Sequence, residues 1–255
     1  MANAMPGSQK SVVLLGGGST LARAMAMRFA EKGFALVLAD LDTAELEVIA
    51  QDLRVRYGQS CRALHFDALD YGSHGDFAAE CAKALGETPG GVVVCFGVTP
   101  VQEDAQKDFS VAHHCLDVNY TGAMSVLEHF ATLFETRGSG FIAAVSSVAG
   151  DRGRQSNYIY GAAKAALSVY LCGLQNRLFK RGVYVTTIKP GFMDTKMTWG
   201  MDLPARLLTD PEQAAGIAVQ AILKGRGEAY VPGYWRLIML IIRHIPGMVF
   251  KRLSL

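Results

Sequence analysis

Short apolar runs alternate with longer stretches of helical periodicity through most of this chain. Extended segments are predicted over residues 12–15, 35–39, 62–66, 91–96, 140–146, 184–188 and 229–231. Helices are predicted between them, for example over 21–31, 43–57, 110–135, 158–181 and 211–223, where apolar side chains recur every three or four positions. Near-continuous apolar strands separated by helices imply right-handed βαβ crossovers and a parallel sheet covered on both faces. The expected fold class is therefore α/β. No internal repeat, low-complexity segment or interdomain linker interrupts the pattern.

Composition narrows the picture. At 255 residues, 50% of them hydrophobic and 27 of them glycine, the chain suits one sizeable α/β domain with tight turns. A formal net charge of +2 gives no argument for a nucleic-acid partner. Cys61, Cys81, Cys95, Cys115 and Cys172 are odd in number and contain no CxxC pair. They read as small core residues of a reducing compartment, with no metal set and no disulfide frame. Residues 1–10 carry no apolar run of signal-peptide length, so a cytoplasmic location is expected.

A glycine-rich turn follows the first strand. Gly16-Gly17-Gly18-Ser19-Thr20-Leu21-Ala22 opens a helix, and such a turn lets backbone N–H groups and the helix dipole approach a pyrophosphate. The second strand runs into Asp40, where an acidic side chain can accept hydrogen bonds from an adenosine ribose and repel a 2′-phosphate. Leu41 follows it instead of arginine, and Ser19 stands where a basic residue would reach that phosphate; both favour NAD over NADP. The competing reading is that Asp40 merely begins the next helix with Asp42. Asp67-Ala68, after the third strand, is placed to contact adenine or to form an ordinary turn.

Tyr160 and Lys164 stand four residues apart on one helical face, an ammonium beside a phenol. A free tyrosine has a pKa of about 10, and moving it toward ~7 requires on the order of 4 kcal/mol, within reach of a cation held close by. Ser147 ends the fifth strand, thirteen residues earlier, and its hydroxyl can hold the oxygen that Tyr160 protonates. Ser146 is its rival, although adjacent strand side chains face opposite ways. Asn119 can bind a water behind Lys164 and extend a proton relay. Pro190-Gly191, followed by Thr195, can bring backbone and a hydroxyl to a nicotinamide carboxamide.

Together these elements resemble the short-chain dehydrogenase/reductase family. The glycine turn 16–22, Asp40, Asp67, Asn119, Ser147, Tyr160-xxx-Lys164 and Pro190-Gly191…Thr195 occur in family order over about residues 11–232. The resemblance implies a Rossmann-like, doubly wound, three-layer α/β/α catalytic domain that binds NAD(P) and interconverts an alcohol and a ketone by hydride transfer. It also implies an Asn119-Ser147-Tyr160-Lys164 tetrad, in which Ser147 orients the carbonyl and Tyr160 donates the proton. Lys164 would bind the nicotinamide ribose and lower the tyrosine pKa, and Asn119 would hold a relay water. A homodimer or homotetramer is expected on the same ground. Two departures stand out. Cys95-Phe96-Gly97 replaces the family's Asn-Ala-Gly, with Gly97 keeping room for the cofactor, and Thr20 and Ala22 replace loop glycines. They leave open a nucleotide-binding regulator or scaffold that has lost turnover.

Beyond the turn at 190–191, residues 192–208 include Met193, Met197, Trp199, Met201, Leu203 and Leu207, and read as a lid over an apolar substrate or over the protein's own core. The segment 233–255 is an amphipathic tail. Arg236, Arg243, Lys251 and Arg252 interrupt an aromatic and aliphatic run, and no acidic residue follows Glu228. The run is too short to span a bilayer, which needs ~20 residues. It reads as a subunit interface, as a contact with an anionic membrane surface at the inner face, or as both. The tail and the Gly-Gly-Gly-Ser-Thr-Leu-Ala turn resemble a divergent branch containing reductases of polyprenyl-phosphate-linked keto-sugars, which implies a lipid-linked substrate.

Overall fold

The first strand shows how the core is built. Val12 and Leu14 face one apolar layer while Val13 and Leu15 face the other, and all four are fully buried. The same alternation recurs at Leu36 and Leu38 against Val37 and Ala39, and at Phe141 and Ala143 against Ile142 and Ala144. A strand with both faces buried must be apolar throughout, which is why these segments read as unbroken hydrophobic runs. Each fully buried Leu or Phe contributes about 1.5–3 kcal/mol of transfer free energy.

The computed structural model describes residues 9–195, 199–200 and 204–253. Its strands are β1 (Ser11–Leu15), β2 (Ala35–Asp40), β3 (Cys61–His65), β4 (Gly91–Val94), β5 (Gly140–Val145), β6 (Val183–Pro190) and β7 (Glu228–Val231). They form one seven-stranded parallel sheet in the order β3-β2-β1-β4-β5-β6-β7. Helices α1 (Thr20–Ala30), α2 (Thr43–Tyr57) and α8 (Pro211–Leu223) cover one face. Helices α3 (His74–Leu85), α6 (Ala123–Arg137) and α7 (Tyr158–Leu178) cover the other. This is the doubly wound, three-layer arrangement in a single domain.

Two segments differ from their expected form. The fourth strand ends at Val94; Cys95 still donates to Leu15 O at 2.7 Å, and the chain then leaves the sheet. The stretch expected as one helix over 110–135 instead contains α5 (Phe109–Leu116), a π-helical segment Asp117–Gly122 and α6, with α4 (Gln102–Lys107) ahead of them. A π segment widens one turn and re-aims its side chains. Here it carries Asn119.

The tail forms α9 (Trp235–His244) and α10 (Gly247–Phe250). Trp235, Ile238, Met239 and Ile242 turn inward onto Val148, Phe192 and Tyr230, while Leu237, Leu240 and Ile241 remain exposed. Of the lid residues, Met193 and Leu207 are packed inward and Trp199 is exposed; Met197, Met201 and Leu203 lie outside the described residues. Among the cysteines, Cys61, Cys81 and Cys115 are buried, but Cys172 is exposed on α7. No helix of the described residues is long and apolar enough to cross a membrane.

Candidate active site

The crossovers after β1 and β4 run to opposite faces of the sheet, which opens a crevice at the C-terminal ends of these two strands. A cleft of about 440 Å³ occupies it, lined from the glycine turn at one end to Tyr160 and Phe192 at the other.

At the first end, Gly16 adopts φ +78°, and a Cβ there would lie 2.5 Å from the Phe96 backbone nitrogen, so only glycine fits. Ser19 accepts the Ala22 N–H at 3.3 Å and caps α1. The first-turn amides of Thr20 and Leu21 have no intrahelical acceptor, and both residues line the cleft. This is a cradle suited to phosphate. Asp40 Oδ2 accepts the Gly18 N–H at 3.0 Å, and Oδ1 accepts the Leu41 N–H at 2.8 Å. Asp42, not Asp40, caps the next helix by accepting the Glu45 N–H. Arg23 also reaches this end, donating to Gly18 O at 2.9 Å and pairing with Glu45.

Asp67 spends its carboxylate on the Leu69 N–H at 2.8 Å, and Ala68 packs beside Gly122. Ser19, Thr20, Leu21, Gly97, Pro190, Gly191 and Thr195 line the cleft; Gly16, Asp40 and Ala68 do not, and Asp67 lines a separate pocket with Phe66 and Asp70.

At the other end, α7 presents Tyr160 and Lys164 one turn apart. The Lys164 ammonium is buried, donates to Val145 O at 2.9 Å, and lies 5.7 Å from the centre of the Tyr160 ring. Burial pulls the lysine pKa down to about 8. Burial also raises the tyrosine pKa, while hydrogen bonds from the Ser147 and Thr99 hydroxyls pull it back, as does the nearby Arg154 charge to a smaller extent. The expected depression of the phenol by Lys164 is therefore absent from this arrangement. Its ammonium is committed to a backbone carbonyl, and desolvation dominates.

The two serines divide as the strand pleat requires. Ser146 is sealed against Lys164 O and Ser168, at 2.9 and 2.7 Å. Ser147 accepts the Ala149 N–H at 3.1 Å and turns its hydroxyl to Tyr160. Asn119 fastens the π segment to the end of β4: its Nδ2 donates to Val98 O at 2.8 Å and Cys115 O at 2.9 Å, and its Oδ1 accepts from Val98 N at 3.2 Å. A Cβ on Gly97 would lie 2.5 Å from Asn119 Oδ1 and 3.2 Å from Lys164 Nζ, so glycine is what lets these groups meet. Beneath them, burial raises the Cys95 thiol pKa to about 12, leaving no thiolate to act as a nucleophile.

Thr99, Arg154 and Asn157 join this end without having been singled out in the sequence. Thr99 carries no local motif beyond its place two residues after Gly97. Arg154 and Asn157 had a signal, namely polar residues on the loop that joins Ser147 to Tyr160.

The fold and site define a Rossmann-type nucleotide-binding oxidoreductase. Residues 10–204 match the family described as short chain dehydrogenase. The chain is 34% identical over 242 residues to an uncharacterized oxidoreductase of Mycobacterium tuberculosis, covering 95% of this chain and 96% of that one. It is 33% identical over 248 residues to an uncharacterized oxidoreductase of Streptomyces coelicolor, covering 97% of each. Its fold is similar to that of a short-chain dehydrogenase from Sphingobium yanoikuyae in complex with NADPH, with a TM-score of 0.78, 22% identity, and coverage of 93% of this chain and 96% of that one. Levodione reductase is also similar, with a TM-score of 0.79, 20% identity, and coverage of 89% and 98%. This chain belongs to the short-chain dehydrogenase family, whose cofactors are NAD(P).

Proposed function

We propose that this protein is an NAD(H)-dependent oxidoreductase that interconverts a secondary alcohol and a ketone, with Tyr160 as the general acid and base. The observation that carries the reading is the convergence of the Tyr160 phenol, the Ser147 and Thr99 hydroxyls and a buried Lys164 at one end of a cleft whose other end is a phosphate cradle. A bound nicotinamide dinucleotide supplies or accepts the hydride. Ser147 holds the substrate oxygen, and Tyr160 Oη gives it a proton during reduction or takes one during oxidation. Lys164 is largely protonated at pH 7, since its pKa lies near 8, and it binds the nicotinamide ribose. Asn119 fixes the backbone beside Lys164 and supports the relay that returns the proton. Val148, Phe192 and Met193 contribute apolar wall beside these groups.

NAD(H) is favoured because Asp40 and Glu45 both flank Gly18, where a 2′-phosphate would meet their negative charge. Among the described residues Arg23 lies nearby, and it is paired with Glu45. Asp67 and Ala68 complete the adenine side, and Pro190, Gly191 and Thr195 the nicotinamide side. The apolar walls and the packed tail support an apolar or lipid-linked substrate, with polyprenyl-phosphate-linked keto-sugars the leading class. The domain is taken as 11–232 with its lid at about 192–208, and 233–255 as a tail that serves as a subunit interface, as a contact with an anionic bilayer surface, or as both, in a homodimeric or homotetrameric enzyme.

The test is to titrate NADH and NADPH against intrinsic fluorescence, then to follow NADH oxidation with a panel of ketones that includes lipid-linked keto-sugars. NADH should bind at least tenfold more tightly than NADPH, and Tyr160→Phe should keep that binding while losing turnover by about 10²–10⁴. Retained turnover in the variant would move the acid to another residue. Failure of wild-type protein to bind either nucleotide would overturn the reading.

A further inference from the structure

The loop between Ser147 and Tyr160 places a cation at the cleft, and the neighbouring Asp151 acts on its charge without pairing with it. Arg154 lines the cleft on the Tyr160 side, and its Nε is buried with no hydrogen-bond partner. No ion pair of the described residues involves its guanidinium. The neighbouring carboxylate, Asp151, is already committed to Lys189 at 2.7 Å and to the Tyr230 hydroxyl at 2.7 Å. Half-buried Arg154 contrasts with the two buried cations of the described residues. Lys164 is bonded to Val145 O, and Lys189 is paired with Asp151 and Glu228.

Burying a guanidinium N–H without an acceptor is costly, and native proteins rarely leave such a donor unmet. Three more facts locate what meets it. No acidic side chain of the described residues lines the cleft. Asn157, three residues on, also lines it, and its Oδ1 is buried without a partner. Lastly, Arg154 and Tyr160 line the same cleft, and the guanidinium charge acts on the phenol, so a group bound to Arg154 shares the reacting end. The phosphate cradle of Gly18 to Leu21 lies at the opposite end, so Arg154 is not part of it.

We propose that Arg154 is the anchor for an anionic group, a phosphate or a carboxylate, carried by the substrate close to its carbonyl or carbinol carbon. The planar guanidinium suits two oxygens of such a group, and Asn157 suits a hydroxyl next to it. The apolar surface of Val148, Phe192 and Met193 receives the rest of the molecule. The inference rests on the cleft being the active site, as proposed above, and adds the charge class of its substrate.

The test measures binding, so it needs no turnover. Wild type, Arg154→Gln and Arg154→Lys, each saturated with NADH, are titrated by thermal shift with three charged and neutral pairs. These are dihydroxyacetone phosphate against dihydroxyacetone, acetoacetate against methyl acetoacetate, and undecaprenyl phosphate against undecaprenol in neutral detergent. In wild type the charged member of at least one pair should bind tenfold or more tightly than its neutral partner. That preference should fall below threefold in Arg154→Gln and return in part in Arg154→Lys. The pair that responds tells a soluble phosphate from a carboxylate and from a lipid phosphate. No preference in wild type, or an undiminished one in Arg154→Gln, overturns the proposal. Arg154→Met, which keeps the aliphatic stem, replaces Arg154→Gln if the latter no longer binds NADH. Charged and neutral ketones reduced equally well would sink the anchor and leave the oxidoreductase reading standing. Loss of nucleotide binding by wild type would sink that reading instead.

Discussion

Lys164 Nζ points at the carbonyl of Val145, 2.9 Å away, and not at the Tyr160 hydroxyl one helical turn behind it. The ammonium sits under the phenol ring at 5.7 Å from its centre, in a pocket where burial has lowered its own pKa to about 8. The lysine is therefore a charge held at a cost.

That cost sets a pH dependence. Lys164 titrates near 10.5 in the unfolded chain and near 8 in the fold. Below pH 8 both states are protonated, and the fold carries the full burial penalty, on the order of 3 kcal/mol. Between pH 8 and about 10 the unfolded chain binds more protons, so this residue's contribution to stability rises with pH. Lys164→Met lacks this slope, and the buried cysteines are common to both proteins. The unfolding free energy of wild type minus that of the variant, from urea titrations, should increase from pH 7.5 to 10. A flat difference would show that the ammonium is not desolvated.

The sequence made the fold legible because the central strands β1, β4 and β5 are buried on both faces, so each appears as a short apolar run. The site was legible where a chemical motif coincided with such an element: the turn after β1, the end of β5, and one face of α7. It was less legible where long-range packing decides. The π segment around Asn119 follows from the fastening of its amide to Val98, a contact across 21 residues with no local pattern. Arg23 belongs to no local motif, and only its fold back onto Gly18 and Glu45 brings it to the nucleotide end.

Arg23 and Asp40 lead to a test of nucleotide choice. Asp40→Ala removes the acid behind Gly18 and should narrow the NADH-over-NADPH preference at least tenfold, equivalent to about 1.4 kcal/mol. Glu45→Gln leaves Asp40 in place and frees Arg23, so it should improve NADPH binding with little effect on NADH. Fluorescence titration of both nucleotides measures each outcome. Unchanged ratios in both variants would assign the preference to another part of the cleft.

Gly191 and Trp235 join the site to the tail. A Cβ on Gly191 would fall within the indole ring of Trp235, which is buried against Phe192 with ring centres 5.3 Å apart. Gly191→Ala must displace α9 and should cost about 1–3 kcal/mol. In Trp235→Ala the added methyl has room, so the double variant should be at least about 1 kcal/mol more stable than the two single costs predict. Additivity, measured by chemical denaturation, would mean that the tail does not press on this turn.

The same contact shows how the tail should be probed. Deleting residues from 234 onward would remove Trp235 from Gly191 and would also strip Arg152 of its acceptors at Ile242 O and Ile245 O, 2.5 and 2.7 Å away. The exposed side of α9 can be altered without touching either. Leu237 and Ile241 are 62% and 60% exposed, on the side opposite Trp235 and Met239. They stand among Arg236, Arg243, Lys251 and Arg252, with no acidic residue beyond Glu228. A face of that composition repels a second copy of itself through its like charges and attracts anionic lipid, at about 1 kcal/mol per base near the surface. Wild type should co-sediment with vesicles of anionic phospholipid, less so at high salt, and Leu237→Asp with Ile241→Asp should abolish this while leaving the NADH Kd unchanged. A fall in oligomer mass by light scattering, with no vesicle binding in wild type, would instead assign the face to another copy of the chain.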